Sequence, residues 1–133
     1  MRHLAVLALL LAASSAQAAR LQCPAQAPAE WGPGLGPLSQ VAVLSERKGV
    51  AIDESAPPIL APDRGFAQGG VWHNLWAMED EPGWSHYIQC EWRGSPRILR
   101  LSADGLKQCE QTAAPYSRAR GVADDAVHTL SCD

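Results

Sequence analysis

Residues 85–101 read "SHYIQCEWRGSPRILRL", and their pattern decides the fold class. Taken from Trp84, the residues Trp84, His86, Ile88, Cys90 and Trp92 fall on one side of an extended chain. Ser85, Tyr87, Gln89 and Glu91 fall on the other. "RGSP" turns the chain, "RILRLS" (97–102) resumes it, and "ADG" turns it again before "LKQCEQT". Working outward, "LSQVAVLS" (38–45), "VWHNLWAM" (71–78) and "AVHTLSC" (126–132) read as further strands. Short turns between strands predict an antiparallel meander, because parallel neighbours need long crossovers. The expected fold is mainly β, sandwich- or barrel-like. An α+β arrangement is the alternative, since 124–130 suits a short helix as well as a strand.

The intervening segments are read as irregular. Residues 25–37, "AQAPAEWGPGLGP", form a Pro/Gly-rich arm whose Trp31 packs back onto the domain. Residues 50–70 form a long connection with one short strand or helical turn, and "AAPYSRARGVADD" (113–125) a loop. The Pro-Gly in "EDEPG" (79–83) predicts a reversal that pairs strand 71–78 with strand 84–92. The expected core is Trp72 or Trp76 with Ile88, Trp92, Leu99 and Leu101, because large aromatics supply much buried area per residue.

The compartment follows from the first residues. "MRHLAVLALLLAASSAQAAR" has a basic start, an apolar run from Leu4 to Ala13, and small residues at Ala16 and Ala18. This is the order of a secretory signal peptide with cleavage after Ala18. The run falls short of the roughly 20 apolar residues of a membrane helix. "ARLQC" lacks the small residues that a lipid-attachment site needs just before its Cys, so none is expected at Cys23. The expected organisation is a signal peptide over 1–18, the arm over 19–37 and a single domain over 38–133, periplasmic or secreted, with no membrane span in the mature chain.

Cysteine usage agrees with export. Cys23, Cys90, Cys109 and Cys132 make an even count, which in an oxidising compartment reads as two disulfides. Zinc would need closely spaced cysteines, and none occur. Sequence leaves the pairing open. A meander would bring Cys90 near Cys109, and neighbouring chain ends would bring Cys23 near Cys132, so these are the expected bridges.

The net charge of −3 argues against nucleic-acid and anionic-membrane partners, which reward clustered Lys and Arg. His73 and His86, with Glu79 or Asp80, would meet if their strands paired, but no short-range ligand spacing supports a metal site. "RGSPR" is a turn and not a Gly-x-Ser-x-Gly elbow, and Gly69-Gly70 lacks the lysine of a phosphate loop. No catalytic residue, metal or cofactor is therefore expected. Trp76, Asp80 and Trp84, around the acidic "EDEPG" tip, form the candidate contact surface for a protein partner in the envelope. A small envelope hydrolase and a structural component of an envelope complex are the alternatives.

The order "QCP", "VAVL", "ILAPD", a Trp-bearing strand, "YIQCEW" and "ILRLSADGLKQC" resembles a family of small exported, functionally uncharacterised proteins of Gram-negative bacteria. The likeness spans Gln22 to Cys109, with Trp92 where the family commonly has Tyr and "SERKG" where it has an Asp-Gly turn. It implies a periplasmic location and no particular activity. A weaker likeness, carried by Tyr87 to Cys90, is to the periplasmic inhibitors of C-type lysozyme, which are small disulfide-linked β-barrels. "PYSRARG" departs from the inhibitors' contact loop.

Overall fold

A computed structural model describes residues 20–79 and 81–133. The signal-peptide residues, with Ala16 and Ala18, and the tip residue Asp80 lie outside the described residues. The described residues form eight strands: β1 (Leu21–Gln22), β2 (Leu38–Arg47), β3 (Arg64–Gln68), β4 (Val71–Ala77), β5 (Trp84–Trp92), β6 (Ile98–Ser102), β7 (Gln108–Ser117) and β8 (Gly121–Cys132). They build two antiparallel sheets, one of five strands in the order β1-β8-β7-β4-β3 and one of three in the order β2-β5-β6. Among the described residues there is no α-helix, only a single 3-10 turn at Ala29–Trp31. The mainly β expectation stands.

Strand β5 covers 84–92, and its inward face carries Ile88, Cys90 and Trp92 as its alternation requires. Val41 and Val43 of β2 pair with Cys90 and Ile88, and Leu99 and Leu101 of β6 flank them on the other side. Opposite them the five-stranded sheet contributes Trp76, Cys109, Leu130 and Cys132 to the same core. The buried tryptophans also tie down the irregular segments. Trp92 donates its indole N–H to the Pro24 carbonyl at 3.2 Å, and Trp76 donates to that of Leu60 at 3.1 Å. Trp31 meets Trp92 edge-on at 5.5 Å, so the arm does pack back onto the domain.

The other face of β5 is covered as well. Gln89 is only 5% exposed, because the 50–60 segment folds over it. Leu44 bridges Ile59 there, and the Arg100 guanidinium spans from Gln89 Oε1 at 2.7 Å to the Glu54 carboxylate at 2.7 Å.

The expected disulfides are corrected. Cys23 is joined to Cys90 and Cys109 to Cys132. The expectation treated 84–112 as one continuous sheet, but after β6 the chain crosses to the other sheet. Cys109 therefore faces Cys132 in the β7–β8 register, with Cα atoms 4.0 Å apart. The ends do meet, since Leu21 pairs with Cys132. Cys23, just beyond β1, nevertheless points across the core to Cys90 in the three-stranded sheet.

Two further expectations change. Strand β4 pairs with β3 and β7, and β5 with β2 and β6, so "EDEPG" passes between sheets and closes no hairpin. Backbone hydrogen bonds from Met78 to Lys107 and from Lys48 to Gly83 hold the two ends of that passage apart. Residues 113–125 are mostly strand, and 124–130 lies in β8. Pro115 sits where the β7–β8 register shifts between Ala114 and Tyr116, a bulge that accommodates its missing donor.

Candidate contact surface

Trp76 and Trp84 do not share one exposed patch. Trp76 is 5% exposed and belongs to the core. Trp84 is half-buried at the start of β5, where the Arg47 guanidinium lies 5.8 Å from its ring centre. Asp80 is outside the described residues. His73 and His86 sit in different sheets, and among the described residues no group of three His, Cys, Asp or Glu side chains could hold a metal ion. The His86 amide donates instead to Asp104 Oδ1 at 2.7 Å.

The outward face of the five-stranded sheet has a more organised surface. Two glycines in the left-handed region, Gly69 (φ 58°) and Gly70 (φ 74°), close the tight β3–β4 hairpin. The hairpin register sets Phe66 opposite His73, with the rings stacked 4.8 Å apart and inclined by 4°. The Arg64 guanidinium lies 5.2 Å from the Phe66 centroid. On the next strand the Glu110 carboxylate is 3.0 Å from His73 Nδ1. The result is a row of cation, aromatic, imidazole and carboxylate across three strands, with Arg64 and Glu110 exposed.

Strand β3 is also the edge of its sheet, so one side of its backbone has no strand partner among the described residues. Edges of this kind accept an added strand. Beside the row, a cleft of about 400 Å³ is lined by Arg20, Asp63, Leu75, Lys107 and Glu110. Charges of both signs therefore surround an aromatic centre.

Comparison with family profiles, curated proteins and solved structures finds no match. The site is accordingly read from its own chemistry. Gly69-Gly70, read only against a phosphate loop, hides the hairpin that builds this surface. The signal was present: two glycines between alternating runs, "RGFAQ" and "VWHNLWA", spell a two-residue hairpin.

Proposed function

We propose that this chain is an exported, non-catalytic protein-binding module of the inhibitor type, acting in the periplasm or outside the cell. Its contact face is the outward surface of β3, β4 and β7. The observation that carries this reading is the partly exposed stack of Phe66 on His73 between Arg64 and Glu110, beside a strand edge with no strand partner among the described residues. Aromatics and Arg supply most of the energy of protein interfaces, and a free edge offers backbone hydrogen bonds to an extended partner. Export is supported by the leader pattern ending at Ala16 and Ala18 and by two disulfides. Among the described residues no helix is long and apolar enough to cross a membrane.

The test is site-specific photo-crosslinking in the envelope, with the probe replacing Phe66, Trp84 or Val50 in turn. A discrete adduct from position 66, absent from position 50, is expected. Adducts only from position 84 would move the contact to the tip, and none from any position would remove the binding reading. A panel of lysozymes then tests the inhibitor type, with Phe66→Asp expected to abolish any inhibition found.

A further inference from the structure

Four side chains on the inward face of the five-stranded sheet form a directed hydrogen-bond chain away from the proposed contact face. Trp72 Nε1 donates to Asn74 Oδ1 at 3.1 Å, and Asn74 Nδ2 donates to Gln111 Oε1 at 3.0 Å. Gln111 Nε2 lies 3.1 Å from His128 Nδ1. All four residues are half-buried, on strands β4, β7 and β8.

The direction of this chain is fixed from one end. An indole N–H only donates, so the Asn74 oxygen must face Trp72. That orientation turns the Asn74 amide nitrogen to Gln111, and in turn the Gln111 nitrogen to the imidazole. A primary amide nitrogen also only donates, so His128 Nδ1 must accept, and the ring carries its proton on Nε2. A proton on Nδ1 would face a donor. Flipping Gln111 moves that conflict to Asn74, and flipping Asn74 moves it to Trp72, which has no acceptor to offer. Gly65 lets the chain form: a Cβ there would lie 2.8 Å from Trp72 Cζ2 and 3.0 Å from Asn74 Oδ1. The Tyr116 ring packs against Trp72 at 5.2 Å.

We propose that this chain is a proton-sensing device in which Trp72 on β4 sets the protonation of His128 on β8, so that mild acid breaks the chain at its last link. The neighbours of the imidazole agree with that assignment. Gln111 and Ala113 of β7, and Ala126 and Leu130 on the same face of β8, carry no charge. Asn74 and Trp72 of β4 are neutral, and the His73–Glu110 pair lies on the opposite face. Strand β2 brings Glu46 and Arg47 only at its far end, against Ser85 and Trp84. Glu91 of β5 points away from the inward face, and Asp124 is exposed four residues along β8. Arg93, whose guanidinium donates to the Asp124 carbonyl at 2.8 Å, is a cation near enough for its charge to act on the ring. Burial and Arg93 both hold the imidazole below its ordinary range.

Nitrogen-15 NMR of the histidine rings tests the device on the mature chain, with His128→Gln to assign the signal. The native protein is expected to show bare Nδ1 and protonated Nε2 at neutral pH. Trp72→Phe is expected to raise the His128 midpoint toward the ordinary value of about 6.5. Asn74→Asp keeps the shape, accepts from both neighbours and turns the Gln111 oxygen to the ring. It is expected to switch the neutral ring to the Nδ1–H tautomer, and it decides the matter if Trp72→Phe does not fold. An Nδ1–H tautomer in the native protein would overturn the proposal. So would an unchanged tautomer in Asn74→Asp, or an unchanged midpoint in a folded Trp72→Phe.

Discussion

Cys23 and Cys90 tie the two sheets together, with Cα atoms 5.8 Å apart at a sequence separation of 67. Cys23 leaves the edge of the five-stranded sheet, and Cys90 sits on the middle strand of the other. The second bridge, Cys109–Cys132, stays within one sheet and spans 23 residues. Loop-closure entropy makes the longer link the larger contributor, at about 4 kcal/mol against about 3 kcal/mol. Replacing Cys23 and Cys90 together by Ala is therefore expected to lower the urea midpoint more than replacing Cys109 and Cys132. Equilibrium unfolding of the two double variants checks the order.

Residue 65 tolerates no side chain without disturbance. Gly65→Ala forces Trp72 or Asn74 to move, because the new methyl would stand within 3.0 Å of both. The expected cost is about 1–3 kcal/mol, the range of an overpacked site. Gly105→Ala, at a turn with open space but φ 81°, is a useful contrast, since its penalty is backbone strain alone. Thermal unfolding distinguishes the sites when paired with NMR: only Gly65→Ala is expected to shift the Trp72 indole signal.

Arg100 and Glu54 form a pair whose two ends differ in value. Arg100→Met leaves Gln89 Oε1 without its donor in a site where Gln89 is 5% exposed. That loss is expected to cost about 1–3 kcal/mol. Glu54→Gln removes only an accessible, solvent-screened carboxylate and is expected to shift the midpoint far less. Denaturant titration of both variants measures the difference.

Stability is expected to fall with acid in two separate steps. Burial, then Arg93, lowers the His128 pKa in the folded state. The unfolded chain therefore binds the proton first, and stability is full above about pH 6.5 and declines below it. Asp53, held down by hydrogen bonds from Ser55, and Glu54, held down by Arg100, act only lower. Their contributions are present above the ordinary carboxylate range of about 4 and are lost as pH falls through the folded values. Urea midpoints measured from about pH 7 to about pH 5 should fall for the native chain and stay flatter for His128→Gln.

The sequence made β5 legible to the residue, because alternation from Trp84 to Trp92 is strict and its ends are marked by "EPG" and "RGSP". The buried Ile88–Cys90–Trp92 face followed from the same period. The partners of β5 were hidden, since neighbours are chosen by tertiary packing and "EDEPG" reads alike in a hairpin and in a passage between sheets. Pro115 concealed the middle of β7 for a local reason: a bulge absorbs it, and a bulge has no composition of its own. The chain from Trp72 to His128 was invisible because its members meet only through the β4–β7–β8 register. The outward stack was half visible, in the Gly-Gly turn that brings Phe66 to His73.

Both sulfur links join cysteines that are consecutive along the chain, the first with the second and the third with the fourth. Under the export proposed above, with the N-terminus leading, each thiol waiting outside meets its mate as the next one to arrive. An oxidant that couples thiols in order of appearance would then form both links without reshuffling.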